Sequence, residues 1–193
     1  MFFNKKLKNF RIDSLKQKIE TSKKLGVDFL IIKKFDKNFS KTSAENFIEI
    51  ILHRKLKAEF IFISKNFKFG KGRAGDIKLL KNKEIFYNYK TKTVLPLNKR
   101  KKIISSTLIR KNIQNGKIDF ANKMLGRNWT IEGIVSKGEK RGRKIGFPTC
   151  NIDLGNYIVP KVGVYSSIII INKKIKKKGI VNVGYKPTFG KNK

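Results

Sequence analysis

The chain has 193 residues, and 39% of them are hydrophobic, which is enough for one large domain or two small ones and argues against wholesale disorder. Its formal net charge is +34, yet only eight of its 47 basic residues are arginine. Arginine suits bidentate contacts with phosphates and bases, so a drift of composition toward lysine explains the charge better than nucleic-acid binding does. A basic RNA- or ribosome-associated protein is the alternative interpretation.

Cysteine use and apolar runs indicate the compartment. Cys150 is the single cysteine, so no disulfide can form within the chain, which fits a reducing cytoplasm. Apolar runs such as Ile168–Ile171 are too short to cross a membrane, and the first residues lack the features of a signal peptide. The sequence therefore predicts a cytoplasmic protein without a membrane partner.

The first half of the chain alternates segments typical of helices and strands. Helices are predicted over residues 14–25 and 43–56, where apolar side chains recur at helical spacing, and Ser43 is a natural N-cap. Compact apolar runs at 27–32 and 60–64 predict buried strands. Strand, helix and strand in this order describe a βαβ unit, and therefore a parallel, doubly wound α/β sheet.

A glycine-rich basic loop, residues 66–75, follows the second predicted strand. Ligands of open α/β sheets bind at the carboxyl ends of the strands, so this loop is a candidate site for a planar aromatic ligand beside a phosphate. Filling of the core by its aromatic rings is the competing interpretation. A short helix over 76–81 and a strand over 84–94 are predicted next. The loop residues proposed to hold the ligand are Phe67, Phe69 and Gly70 with Lys71 and Arg73.

A second candidate site precedes a helical pattern that Gly116 ends. Three hydroxyl residues, Ser105, Ser106 and Thr107, stand where the exposed N–H groups and dipole of a helix attract anions. Arg110 lies about one turn further along and is able to return to the same anion. The segment therefore predicts phosphate binding, with plain helix capping as the alternative. Another helical turn or two is predicted over 119–125.

From Trp129 onward, short β patterns separated by Gly, Pro and Asn replace the helices. Strands are predicted over 129–135, 149–154, 162–172 and 180–183, with 173–178 as a charged hairpin tip. Short strands without long helices indicate an antiparallel barrel. The sequence thus predicts a boundary near Gly126, between a doubly wound α/β domain over residues 1–124 and an all-β barrel over 125–193.

Together these segments resemble the prokaryotic bifunctional riboflavin kinase/FMN adenylyltransferase (FAD synthetase) family. The matching stretches occur in family order, and it is the ordered set that is specific. They are Gly26-Val27-Asp28, Ser43-Ala44-Glu45-x-Phe47, Asn66 to Gly70 with Lys71-Gly72-Arg73-x-Gly75-Asp76, Ile104-Ser105-Ser106-Thr107-x-Ile109-Arg110, Leu125-Gly126-Arg127, Gly142-Arg143-x-x-Gly146-Phe147-Pro148-Thr149-x-Asn151, Gly163-Val164-Tyr165, and Asn182-x-Gly184-x-x-Pro187-Thr188-Phe189-Gly190.

The resemblance implies two activities and their substrates. The first module would be a Rossmann-like nucleotidyltransferase that moves AMP from ATP onto FMN, with the 105–110 segment on the ATP phosphates and the 66–70 loop on flavin and nucleotide. The second would be a riboflavin kinase barrel that moves the γ-phosphate of ATP onto riboflavin. There Thr149 and Asn151 would bind Mg²⁺ and phosphate. The residues implied for nucleotide binding in the kinase are Gly138, Gly142, Arg143, Gly146, Pro187 and Thr188.

The chain departs from the family pattern at both ends. It contains no His-x-Gly-His motif of the kind that stabilises charge during adenylyl transfer, and the catalytic Glu of the kinase is also missing. We therefore expect a fragment that lacks the start of the first domain and the end of the second, with Met1 an internal methionine. No catalytic residue is assigned within the chain, and neither activity is expected of it in isolation. A non-catalytic remnant that binds flavin or nucleotide is a further alternative, and the sequence indicates no oligomeric state.

Overall fold

The computed structural model of the chain describes residues 9–99, 102–136, 146, 149–172 and 174–184. They form two compact units. The central unit comprises residues 29–103, and the composite unit comprises residues 9–28 together with the described residues from 104 onward. Because the chain leaves the composite unit and later returns to it, segments far apart in sequence build one core there.

The central unit is built from short helices around a parallel strand pair. Its elements in chain order are α2 (Lys37–Ser40), α3 (Ala44–Asn46), the π-helix Phe47–Lys55, β1 (Phe60–Ser64), the 3-10 turn Lys71–Arg73, α4 (Ile77–Asn82), α5 (Glu84–Tyr87), β2 (Lys90–Val94), β3 (Asn98–Lys99) and β4 (Lys102–Ile103).

The parallel pair of β1 and β2 confirms the predicted sheet type, with Phe60 opposite Lys90 and Ser64 opposite Val94. Ile61 and Ile63 point into the core, while Phe60 and Phe62 are exposed on the other face. Helices α4 and α5 form the connection between the two strands. The βαβ unit is therefore formed by β1, the helices α4 and α5, and β2. The sequence pattern places it earlier, over the segments 27–32, 43–56 and 60–64. The buried residues of this unit are Ala44, Ile48, Ile61, Ile63, Phe69, Leu80 and Tyr89.

The predicted strand over 27–32 is wrong, because those residues have no regular structure and their apolar side chains are exposed, Phe29 to 90%. A strand is stable only when a neighbour satisfies its N–H and C=O groups, and no described residue pairs with this run. An apolar run shows that a segment suits burial, but it does not supply the partner strand.

Two further predictions in the central unit need correction. The predicted strand over 84–94 begins as helix α5, and Asn88 then turns the chain in the left-handed conformation before β2 starts at Lys90. Asn tolerates that conformation better than most residues do, so it separates helix from strand. The predicted helix over 43–56 is confirmed with Ser43 as its N-cap, but from Phe47 onward it is wound as a π-helix.

The composite unit starts with helix α1 (Leu15–Lys24), which begins where the sequence predicts. The Ser14 side chain accepts from the Gln17 backbone N–H, and the Gln17 side chain accepts from the Ser14 N–H, so both helix-end donors are satisfied. The other elements are α6 (Ser106–Gln114), α7 (Ile118–Leu125), β5 (Val135–Ser136), β6 (Asn151–Ile152), β7 (Gly163–Ile171) and β8 (Ile175–Val183). Their core contains Ile109, Ile113, Ala121 and Ile158.

The strands of the composite unit form two separate antiparallel pairs, β5 with β6 and β7 with β8. Within the described residues these pairs do not close into a barrel. The predicted hairpin tip over 173–178 is too long, because β8 starts at Ile175 and three of its lysines stand opposite isoleucines of β7. The predicted strand over 129–135 is reduced to Val135–Ser136, since Trp129 instead packs against the core and donates its indole N–H to the Ile12 carbonyl at 2.9 Å.

The segment of residues 9–13 holds distant parts of the composite unit together and was not predicted. Arg11 donates its N–H to the Asn156 carbonyl at 2.9 Å, and Ile158 donates to the Arg11 carbonyl at 2.8 Å. The guanidinium of Arg127 forms an ion pair with Asp13 at 2.6 Å. The segment therefore joins the region around 155–158 to the end of α7.

No helix among the described residues is both long and apolar enough to span a membrane.

Candidate functional site

The glycine-rich loop of the central unit is a closed structure whose aromatic rings are stacked. The backbone N–H groups of Phe69 and Gly75 each donate to the other residue's carbonyl, at 3.0 and 2.9 Å. Phe67 stacks on Phe69 with ring centroids 5.7 Å apart and an interplanar angle of 20°. Phe69 is buried and also contacts Phe47, whereas Phe67 is 36% exposed. One ring of the loop therefore fills the core, while the other presents a flat surface.

Gly70 is required at the base of this loop. Its φ is +74°, a conformation that side chains rarely adopt, and a Cβ there would lie 2.6 Å from the backbone nitrogen of Ala44. Lys71 donates its N–H to the Thr42 carbonyl at 2.7 Å, just before the start of α3. The loop is therefore seated directly on the N-terminal turn of that helix, and its shape is set by backbone contacts.

An ion pair closes the loop at its far end. The ammonium of Lys68 contacts one carboxylate oxygen of Asp76 at 3.0 Å. The other oxygen caps helix α4 by accepting from the N–H groups of Lys78 and Leu79, at 2.9 and 3.1 Å. The hydrogen bond from Lys68 and those from the helix lower the pKa of Asp76 below its ordinary value. The sequence motif contains both residues, but it does not show that they meet.

The hydroxyl segment of the composite unit is a helix N-terminus, as the sequence predicts. Ser105 is the N-cap of α6, and its side chain accepts from the Leu108 N–H at 3.2 Å. Ser106 and Thr107 occupy the first turn, and both are exposed. The N–H groups and hydroxyls of Ser106 and Thr107 are thus left for an anion, while the Ser105 hydroxyl already accepts from the Leu108 N–H.

Arg110 has a contact that local sequence does not reveal. Its Nε–H donates to the carbonyl of Phe10 at 2.8 Å, and the side chain is half-buried. The guanidinium therefore holds the 9–13 segment against α6. A guanidinium carries five N–H donors, so this bond leaves others for an anion. The two residues are 100 positions apart, and nothing in the pattern around Arg110 indicates the contact.

The kinase-type segment is described only in part. Gly146 has a φ of +79° and is exposed, so the chain uses glycine's conformational freedom at that turn. Thr149 is exposed, and Asn151 starts β6, where its carbonyl accepts from the Ser136 hydroxyl at 3.3 Å. The other residues predicted for this site lie outside the described residues; they are Gly138, Gly142, Arg143, Pro187 and Thr188.

Metal binding rests on few donors. Within the described ranges, no group of three or more His, Cys, Asp or Glu side chains is arranged to hold a metal ion. Thr149 and Asn151 offer a hydroxyl and an amide oxygen, which are hard donors of the kind that Mg²⁺ accepts. These two oxygens would supply only part of the ligands of a Mg²⁺ ion, and the phosphates of a nucleotide would supply others.

Comparison with protein families gives two matches in chain order. The FAD synthetase family model matches residues 1–108, and the riboflavin kinase family model matches residues 125–193. The chain therefore belongs to the FAD synthetase family, with a riboflavin kinase region after the FAD synthetase region. The central-unit loop and the start of α6 both lie within the first match, and the 146–151 segment lies within the second.

Curated relatives carry the same two names. The chain is 42% identical over 191 residues to the bifunctional riboflavin kinase/FMN adenylyltransferase of Buchnera aphidicola subsp. Schizaphis graminum, with 97% of this chain and 61% of the relative covered. Bacillus subtilis (strain 168) has a relative of that name with 37% identity, covering 92% of this chain and 56% of the relative. That of Escherichia coli (strain K12) is 32% identical, covering 92% and 57%. The chain thus spans about three-fifths of the length of these relatives.

A solved structure shares the fold. It is described as the crystal structure of a macrolide-efflux protein from Streptococcus pneumoniae, and it matches with a TM-score of 0.80 and 30% identity. The match covers 92% of this chain and 57% of that chain. The arrangement of the described elements is therefore that of a known protein fold.

Proposed function

We propose that this chain acts in the synthesis of flavin cofactors. The two reactions concerned are the ATP-dependent phosphorylation of riboflavin to FMN and the adenylylation of FMN to FAD. The observation that carries the proposal is the order of an FAD synthetase region and a riboflavin kinase region within one chain. The small-molecule substrates that follow from it are ATP, riboflavin and FMN, with Mg²⁺ as the accompanying ion.

Two features support the adenylyl-transfer part. The exposed face of Phe67, backed by Phe69, offers a flat aromatic surface of the kind on which an isoalloxazine ring stacks. The N-terminal turn of α6, with Ser106 and Thr107, offers N–H and O–H donors for the phosphates of ATP. Phosphoryl and nucleotidyl transfer depend mainly on positioning and on neutralising charge, and both features serve those ends.

The kinase part rests on the 146–151 segment. Thr149 and Asn151 would hold Mg²⁺ together with nucleotide phosphates, and the ion when bound neutralises charge on the phosphates. The turn at Gly146 lets the backbone approach a ligand closely, since glycine has no Cβ. Cytoplasmic location belongs to the same proposal, and the exposed thiol of Cys150, which is not in a disulfide, fits a reducing compartment.

Binding of FMN tests the flavin assignment. We expect the chain to quench FMN fluorescence saturably, and to do so in about 0.2 M salt, where exposed charges more than about 10 Å apart are largely screened. Phe67→Leu should weaken this binding. Phe29→Leu is the matched control, because Phe29 lies in the same unit and is 90% exposed.

The competing RNA-binding interpretation predicts a different result. A protein that binds through counterion release loses affinity steeply as salt rises, and it binds many polyanions alike. If FMN failed to bind while RNA bound in this salt-dependent manner, the flavin proposal would be overturned. Turnover is a separate question, and we expect this chain to form no FAD from FMN, because a His-x-Gly-His motif needs two histidines and His53 is the single histidine of the sequence.

A further inference from the structure

Asp76 uses its two carboxylate oxygens for different purposes. One oxygen caps helix α4 through the N–H groups of Lys78 and Leu79, and the other contacts the ammonium of Lys68 at 3.0 Å. An N-cap alone needs a single acceptor, and Asn or Ser would serve equally well there. The contact with Lys68 therefore requires an explanation beyond helix capping.

In the sequence, Lys68 lies between Phe67 and Phe69, the two residues whose rings stack. Phe67 and Phe69 lie on one side of the chain, since their rings stack at 5.7 Å. Lys68 is bonded to both residues through the backbone, so holding its side chain at Asp76 restrains the backbone that carries the two rings. Phe69 is additionally held by the core and by its two backbone bonds to Gly75. Phe67 lacks such burial, and its orientation is the one that the anchor can change.

We propose that Asp76 is a positioning residue for ligand binding, which acts through Lys68 to hold the Phe67 ring flat against Phe69. This inference rests on the proposed function, because the flat face is assigned to flavin there. Asp76 does not touch the flavin in this role. It also neutralises Lys68, so the cations of the 66–75 loop that carry no ion pair among the described residues are Lys71 and Arg73.

Asp76→Asn separates the two purposes of the side chain. Its amide oxygen still caps α4, whereas the negative charge that attracts Lys68 is lost. Lys68→Met removes the other partner and keeps the apolar stem, and Lys68→Arg restores a cation. The control is Asp36→Asn, because Asp36 caps helix α2 in the same unit by accepting from the Phe39 N–H at 2.8 Å and takes part in no described ion pair.

FMN affinity measured by fluorescence quenching is the first readout. We expect Asp76→Asn and Lys68→Met each to weaken binding about three- to tenfold, the lower range of couplings between residues in contact, with no further loss in the double variant. Lys68→Arg and Asp36→Asn should bind as the unaltered chain does. Unchanged affinity in Asp76→Asn, or an equal loss in Asp36→Asn, would overturn the proposal.

A readout without ligand keeps the inference distinct from the proposed function. In the ligand-free chain the Phe69 ring should shift the NMR signals of the Phe67 ring protons upfield, and Asp76→Asn and Lys68→Met should reduce that shift while Asp36→Asn does not. If the unaltered chain bound no FMN, the flavin assignment would fail, and the ring shifts would still decide the positioning role. Ring shifts that are equal in all variants would refute that role directly.

Discussion

The hydroxyl of Tyr157 donates a hydrogen bond of 2.8 Å to the side-chain oxygen of Gln17, which lies 140 positions earlier in the chain. Both residues are buried, and the Gln17 amide also donates to the Thr130 carbonyl at 3.0 Å. Because α1 and the 155–158 region belong to one compact unit, this network reports whether the composite unit forms as described.

Removing either partner should destabilise the composite unit. We expect Tyr157→Phe to lower the free energy of unfolding by about 1 kcal/mol. Gln17→Ala should lower it by about 2–3 kcal/mol, since it leaves several buried polar groups without a hydrogen-bond partner. The double variant should lose less than the sum, because both changes break the same bond. Urea unfolding measures this. Tyr165→Phe is the control, since that hydroxyl bonds the Lys161 carbonyl in an exposed position, and additive losses at 17 and 157 would contradict the network.

Gly70→Ala should be strongly destabilising. The positive φ alone costs about 1–2 kcal/mol for a residue with a Cβ, and the contact with the Ala44 backbone adds to it. Gly72→Ala is the matched control in the same loop, because its φ is +63° and nothing lies within 4 Å of an added Cβ. Thermal unfolding of the two variants should separate the conformational cost from the steric one. Equal losses would mean that the loop does not rest on α3.

The ion pair between Arg127 and Asp13 should contribute more than an exposed one. Its two side chains are 31% and 17% exposed, against 67% and 34% for Arg54 and Glu49. We expect Arg127→Leu to lower the free energy of unfolding by about 1–3 kcal/mol, since the largely buried Asp13 carboxylate loses its cationic partner. Arg54→Leu should lower it by under about 0.5 kcal/mol, because the Glu49 carboxylate is more accessible to water. Chemical denaturation at equal salt tests this, and the reverse ranking would exclude a fastening role for residues 9–13.

Tyr89 should make the central unit sensitive to alkali. Burial, with the nearby charge of Glu84, raises the pKa of Tyr89 to about 12, whereas an unfolded tyrosine titrates near 10. A raised pKa of this acid means that its stabilising effect is intact below pH about 10 and is lost as pH rises through about 12. The free energy of unfolding should fall by about 2–3 kcal/mol in all between these two pH values.

The comparison with Tyr89→Phe isolates this effect. That variant loses the hydrogen bond to the Leu80 carbonyl at every pH, but it retains all the lysines, so their titration cancels between the two proteins. We expect the unaltered chain to lose more stability than the variant between pH 9 and 12, followed by guanidinium unfolding. Parallel curves would show that the Tyr89 hydroxyl titrates normally.

Arg110 allows its structural and anion-binding roles to be separated. We expect Arg110→Ala to lower stability by about 1 kcal/mol, since the Phe10 carbonyl loses its donor, and Lys111→Ala to have little effect. If the remaining guanidinium donors also hold phosphate, Arg110→Ala should in addition weaken ATP binding measured by calorimetry. Weaker stability with unchanged ATP affinity would limit Arg110 to its contact with residues 9–13.

Local signals predicted local structure well. The helices predicted over 14–25 and 76–81 are present as Leu15–Lys24 and Ile77–Asn82, Ser43 is the predicted N-cap, and β1 has the predicted bounds, because caps and short apolar runs act within a few residues. The run at 27–32 failed since strand formation depends on a neighbour that the run itself does not specify. The candidate sites show the same limit. The loop motif was enough to select Phe67 and Gly70, but no local pattern indicates the contact between Arg110 and Phe10, because these residues are 100 positions apart.

The hairpin of β7 and β8 gives the lysine-rich composition a physical consequence. Lys176, Lys177 and Lys178 are consecutive in β8, so they place positive charge on both faces of a strand that pairs only with β7 among the described residues. Two copies that approached edge to edge would bring these charges together, and like charges on an edge strand oppose such pairing. The lysines thereby counter the tendency of the exposed isoleucines beside them to drive aggregation, and high salt should weaken this protection.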